Sequence, residues 1–144
     1  MAMHIRTFRE ADRTALLALW EACALTRPWN DPGRDVDLCL ESRESTLLVG
    51  TKDDRLVASV MAGSDGHRGW IYYLAVDPNA QDRGHGREMM AEAELWLAGR
   101  GVPKVQLMVR GGNTAASDFY AALGYEAQDV TVMGKWIRSD PETR

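Results

Sequence analysis

Six residues, Gln81-Asp82-Arg83-Gly84-His85-Gly86, join two segments with different periodicities. Before them, Trp70-Ile71-Tyr72-Tyr73-Leu74-Ala75-Val76 reads as a strand rich in aromatic and branched residues, closed by a turn at Pro78. Behind them an amphipathic helix carries Met89, Ala93, Trp96 and Leu97 on one side and ends at Gly99 or Gly101. A strand that turns into a helix in this way leaves backbone N–H groups unpaired at the positive end of the helix dipole, an arrangement that suits a phosphate. Gly84 and Gly86 lack Cβ atoms, so a bulky anion can approach the backbone. Two familiar phosphate loops are excluded. No Lys-Ser or Lys-Thr follows the glycines, and the third residue beyond Gly86 is Met89, where a dinucleotide fingerprint needs glycine. The pattern that remains is Gln-x-x-Gly-x-Gly behind Val76-Asp77-Pro78; alone, a plain strand-to-helix turn would look the same.

A second constellation lies downstream, past the strand-like run Lys104-Val105-Gln106-Leu107-Met108-Val109. Ala116, Phe119, Tyr120 and Leu123 recur with helical spacing, Asn113 suits the N-cap and Gly124 the C′ position. Read by itself, this is a core helix with a buried tyrosine.

Taken together, Gln81-x-x-Gly84-x-Gly86 and Asn113-x6-Tyr120-x3-Gly124-Tyr125 resemble the GNAT N-acetyltransferase superfamily, over essentially the whole chain. The resemblance implies an α/β GNAT fold: a central mixed, mostly antiparallel sheet of about seven strands with a splayed pair of strands, and about four helices. It implies acetyl-CoA as co-substrate, with no metal. Gln81, Asp82, Arg83, Gly84, His85, Gly86 and Arg87 would hold the pyrophosphate, and Asn113 would contact the cofactor arm. Leu74 and Val76 would bind the pantetheine through their backbone, with an N–H near Leu74 polarising the thioester carbonyl. Tyr120 would protonate the leaving thiolate.

The base is less defined. Some family members carry a glutamate at the start of the splayed strand, where this chain has Trp70 and no carboxylate through Val76. Asp65 and His67 are the nearest titratable groups; His67 is the candidate, with a water chain as the alternative. Thr26-Arg27-Pro28-Trp29-Asn30-Asp31-Pro32, Asp65-Gly66-His67-Arg68-Gly69 and Tyr72-Tyr73-Leu74 are similar to the small bacterial YpeA-type acetyltransferases. That likeness puts Trp29, Asn30, Asp31, Asp65 and Tyr72 on the acceptor side, with both loops in one composite site. Asp31, Asp35, Asp37 and Asp65 would favour a cationic amine there, if they are not simply solvated.

Composition fits a single domain over 1–144, long enough to bury a core. A net charge of −4 and a pI of about 5.4 argue against nucleic acid. No apolar run is long enough to span a membrane, and the start of the chain goes directly into a strand pattern. Cys23 and Cys39 have no CxxC spacing and read as free thiols, so a cytoplasmic location is expected. A homodimer is left open.

Further elements are expected at His4–Phe8 (strand) and along Leu16, Leu19, Trp20, Cys23 and Ala24 (helix, with Asp12 as N-cap). A short helix through Val36, Leu38 and Leu40 follows, then a hairpin around Asp53-Asp54. Closing strands are expected at Tyr125–Ala127 and Val130–Ile137. The rival to an enzyme is a GNAT-fold module that binds acyl-CoA without turnover. A pure interaction domain using Trp29 and Trp136 would leave the phosphate loop unexplained.

Overall fold

The computed structural model describes residues 2–138. The chain divides into two compact units, Met1–Leu107 and Met108–Arg144. The first holds one five-stranded sheet in the order β1-β2-β3-β4-β5: β1 (His4–Thr7), β2 (Ser45–Lys52), β3 (Arg55–Ser64), β4 (Gly69–Val76) and β5 (Val105–Leu107). β1 to β4 pair antiparallel, whereas β4 and β5 run parallel, joined by the crossover helix α3 (His85–Gly99). The expected hairpin is present. Asp53 and Asp54 both adopt positive φ, 51° and 62°, which matches the twist of a two-residue β2–β3 turn.

Helices α1 (Arg13–Ala22) and α2 (Pro32–Glu41) pack on one face of the sheet. Leu16, Leu19 and Trp20 of α1 and Val36 and Cys39 of α2 close a core with Leu47, Val49 and Ala75. In α3, Met89, Met90, Ala93 and Leu97 are buried. The apolar run in α2 misleads at two positions: Leu38 and Leu40 are exposed, and the buried stripe is Val36 and Cys39, one turn apart. Asp12 does not cap α1 with its side chain. Its carboxylate instead takes two hydrogen bonds from Arg6, at 2.8 and 2.9 Å, and one from the Arg9 N–H at 2.8 Å.

The second unit contains α4 (Thr114–Ala122). Asn113 Oδ1 accepts from the Ala116 N–H at 3.1 Å. At the other end the Gly124 N–H donates to Ala121 O and the Tyr125 N–H to Tyr120 O, both at 3.0 Å. Gly124, at φ 97°, thus closes a Schellman motif.

Among the described residues the sheet has five strands, where about seven are expected. Among the described residues, Tyr125–Ala127 and Val130–Ile137 belong to no strand. Val130, Val132, Met133, Trp136 and Ile137 are all exposed. Strand propensity expresses packing on a pleated, half-buried face, and these side chains have none to pack on.

Candidate active site

The site is built around an irregularity in β4. Ser59 pairs with Ala75 and Met61 with Tyr72, so Val60 alone stands opposite both Tyr73 and Leu74. This is a β-bulge, and Tyr73 adopts φ 53° within it. The bulge reverses which face each side chain takes. A Cβ at Gly69 would meet Leu97 on the α3 side, whereas Ala75, of the same parity, lies in the α1–α2 core. Tyr72 and Tyr73 consequently sit on the same face, and Tyr73 stacks on Trp20 with ring centroids 3.7 Å apart and an interplanar angle of 12°.

Beyond the bulge, one edge of β4 is open. β5 pairs only with Gly69, Trp70 and Ile71, while β4 continues to Val76. The Asp77 N–H donates to Val57 O on β3 at 2.8 Å. Backbone groups alternate sides along a strand, so the N–H groups of Val76 and Leu74 point away from β3 onto the open edge. Val76 O is already occupied, accepting from Cys23 Sγ at 3.2 Å and Gln81 Nε2 at 3.1 Å. What Val76 still offers is its N–H.

The open edge leads into the Gly-rich loop. Asp77 Oδ1 accepts from the Asn79 N–H at 2.8 Å and fixes the turn. Asp82 and Gly84 take positive φ, 61° and 79°, and Gly84 is the N-cap of α3 without any side-chain cap. The first helical bond runs from the Glu88 N–H to Gly84 O, which leaves the N–H groups of His85, Gly86 and Arg87 without an intrahelical acceptor. Gln81, Asp82, Arg83 and Arg87 are exposed around them. The His85 ring is different. It is only 5% exposed, and neither ring nitrogen has a hydrogen-bond partner among the described residues. The loop therefore offers an anion His85's backbone N–H, not its imidazole.

On the acceptor side the carboxylates are engaged. Asp31 caps α2, accepting from the Gly33 N–H at 2.9 Å and the Arg34 N–H at 3.3 Å. Asp37 pairs with Arg13 at 2.6 Å. Asp35 Oδ2 accepts from the Tyr73 hydroxyl and from Asn30 Nδ2, each at 2.7 Å. Burial, then the hydrogen bond to Asp35 and its charge, pushes the Tyr73 hydroxyl far above the usual phenol range. Asp65 closes its own turn, accepting from the N–H groups of His67 at 2.8 Å and Arg68 at 2.7 Å and from Trp70 Nε1 at 3.0 Å. Those bonds, the Arg68 and His67 N–H groups first, hold its carboxyl at about 2. A cationic acceptor thus finds these carboxylates already partnered.

Trp29 is 47% and Tyr72 43% exposed. Burial first, and then the Asp65 charge, raises the Tyr72 hydroxyl. The two adjacent tyrosines thus relate to different loops: Tyr73 bonds the α1–α2 side, and Tyr72 senses the β3–β4 turn. His67 lies exposed on that turn, at the opposite end of β4 from the Gly-rich loop. From the start of β4 at Gly69 to Leu74 the strand advances at most about 17 Å at 3.3 Å per residue, and His67 lies on the turn before it.

In the second unit, Tyr120 sits in α4 with its ring edge-on to Phe119 and Tyr125, at centroid distances of 5.1 and 5.8 Å. Burial raises its hydroxyl above the ordinary value, so it stays protonated at neutral pH. Asn113 spends its oxygen on the cap and keeps its amide N–H groups to donate. Trp20, Ser59, Asp35 and Tyr73 are the residues that sequence reasoning missed as a group. Asp35 reads there as an acceptor-side carboxylate, Tyr73 as part of an acceptor-side run and Trp20 as a core residue, and only the bulge brings them together with Ser59.

A bulged strand with an open edge thus runs into an uncapped helix start whose free N–H groups suit an anion. The model of the acetyltransferase (GNAT) family matches residues 9–125, and the chain belongs to that family. An acetyltransferase of Pectobacterium atrosepticum is 43% identical over 140 residues, covering 97% of this chain and 99% of that protein. The same fold occurs in AAC(6')-Iy, solved with the bisubstrate analog CoA-S-monomethyl-acetylneamine: TM-score 0.81, 16% identity, 94% of this chain and 99% of that one. It occurs also in the PaiA N-acetyltransferase of Thermoplasma acidophilum, solved with coenzyme A: TM-score 0.79, 15% identity, 91% and 94% coverage.

Proposed function

We propose that this acetyltransferase is acetyl-CoA-dependent and transfers the acetyl group by direct attack to a primary amine of a small molecule or peptide. One observation carries the reading: the free N–H groups of Leu74 and Val76 on the open edge of β4 lead directly to those of His85, Gly86 and Arg87 at the start of α3. An extended pantetheine arm needs the first set, and a pyrophosphate needs the second. Arg83 and Arg87 supply positive charge beside the phosphates. The solved relatives that carry coenzyme A or a CoA conjugate support this use of the fold.

In the reaction, the neutral amine attacks the thioester carbonyl carbon. The oxygen gains negative charge and is stabilised by the Leu74 N–H. The C–S bond then breaks, and Tyr120 gives its proton to the departing thiolate. Trp29, Asn30 and Tyr72 line the approach of the amine. Its proton leaves through water: Asp65 is held at about 2 by its own turn, and His67 lies exposed on that turn, before the start of β4.

An amine library with acetyl-CoA, followed by free thiol release, tests this. Turnover of any amine excludes the acyl-CoA sensor reading, and tight CoA binding without turnover across broad chemistry establishes the sensor instead. Tyr120→Phe is expected to lower turnover by ~10²–10⁴ while acetyl-CoA affinity holds. An unchanged rate would remove Tyr120 from the mechanism.

A further inference from the structure

An aromatic residue at φ 53° is held in a conformation that side chains disfavour, and it persists only if its surroundings fix it from several directions. Tyr73 has three such tethers. Its ring stacks on Trp20. Its hydroxyl donates to Asp35, which Asn30 also binds, and Asn30 Nδ2 reaches the Tyr73 hydroxyl oxygen at 3.3 Å. Its carbonyl accepts from Ser59 Oγ at 2.8 Å. Ser59 is completely buried and accepts in turn from Trp20 Nε1 at 2.9 Å, so its hydroxyl is used in both directions.

The Ser59 bond has a consequence one atom further on. Tyr73 C=O and Leu74 N–H belong to a single planar trans peptide, in which the two groups point opposite ways. Drawing the Tyr73 carbonyl toward Ser59 in β3 therefore turns the Leu74 N–H outward, onto the open edge. We propose that Ser59 and Tyr73 are positioning residues for acyl transfer: through the bulge they aim the Leu74 N–H at the thioester carbonyl, and through Asp35 and Asn30 they tie that aim to the α1–α2 side where the acceptor arrives. The proposal rests on the acetyl-CoA reading above. Neither residue touches substrate, and Trp20 completes the clamp by stacking.

The test uses the full-length chain with Tyr73→Phe, Ser59→Ala, Asp35→Ala and Asp35→Asn. Tyr73→Phe keeps the ring stack and removes only the hydroxyl, so it stays informative even where Ser59→Ala, which leaves the buried Trp20 N–H unpaired, fails to fold. Misaiming an oxyanion donor costs part of the ~10²–10³ that removing one costs. Tyr73→Phe and Ser59→Ala should thus lower kcat about tenfold or more while the Kd for CoA is unchanged. Asp35→Asn, which keeps an oxygen for the Tyr73 hydroxyl, should recover most of what Asp35→Ala loses. A second readout needs no acceptor: the backbone amide resonance of Leu74 should shift between CoA and acetyl-CoA in the wild type and lose that difference in the variants, with residues 84–86 still responding.

Variants whose Leu74 resonance and kcat match the wild type overturn the positioning role. Equal losses in CoA affinity and kcat, with no recovery in Asp35→Asn, overturn it in favour of general destabilisation. If the wild-type loop and Leu74 amides respond to neither CoA nor acetyl-CoA, the acetyl-CoA reading falls, and this inference with it.

Discussion

β4 carries a polar loop at each end, and the two are opposites. The turn before it, Asp65 to Gly69, satisfies itself: one carboxylate takes two backbone N–H groups and the Trp70 indole, and the Asp65 N–H donates to Arg68 O at 3.1 Å. The loop after it, Gln81 to Gly86, leaves a helix start uncapped, and Gln81 Nε2 donates to Val76 O. Both contain Asp, Gly, His and Arg, so composition does not tell them apart. What differs is whether the backbone donors have been used. A loop whose donors are spent is a structural turn; a loop that leaves them free at a helix N-terminus offers them to an anion.

The largest test of this contrast is at the open end. Gly86 lies in the first turn of α3, and Gly86→Val places a β-branched side chain where the phosphate must approach. Losing two charge-assisted hydrogen bonds at about 1.5 kcal/mol each corresponds to roughly a 10²-fold rise in Kd for CoA. Calorimetry on the folded variant measures it. Unchanged affinity would mean that the loop is as closed to ligand as the Asp65 turn, and the contrast would collapse.

How far the sequence reveals each region follows the same division. The Gly-rich loop is legible because backbone conformation and helix polarity dictate residue type locally: glycine at Gly84, a strand before, an amphipathic helix behind. The caps of α4 are legible for the same reason, since Asn113 and Gly124 answer to the nearest turns of their own helix. The bulge is not. Tyr73 meets Trp20, Asp35 and Ser59 across long stretches of sequence, and no local rule places a tyrosine at positive φ. The strand pattern at Val130–Ile137 fails in the reverse sense. It has the right residues, and a strand needs a partner that sequence periodicity does not supply.

A smaller effect is expected at the closed end. Asp65→Ala should leave CoA binding intact and lower the melting temperature modestly, because the turn loses its acceptor. Asp65 is held at about 2, below its ordinary 3.8, so its contribution is fully present above the ordinary value and disappears as the pH falls toward 2. Melting curves of wild type and variant should accordingly converge between about pH 4 and pH 2. A constant gap over that range would mean that the turn is held by something other than the ionised carboxylate. A loss of CoA affinity would place this turn over the cofactor.

The smallest expected effect is also the sharpest discriminator. His67→Ala should change neither CoA affinity nor the pH profile of kcat/KM for the acceptor. If the free amine fraction supplies the nucleophile and water carries off its proton, the rising limb follows the acceptor: two acceptors whose amine pKa values differ by about two units give limbs about two units apart. An imidazole base would instead fix the limb at one pH for both acceptors, and His67→Ala would abolish it. The physical ground for the first outcome is placement. His67 is exposed on the turn before β4, with the strand residues Gly69 to Tyr72 between it and the bulge, and Asp65 on the same turn is held at about 2 by its own hydrogen bonds. A fixed limb lost in His67→Ala would show that the closed end of β4 takes part in the chemistry after all.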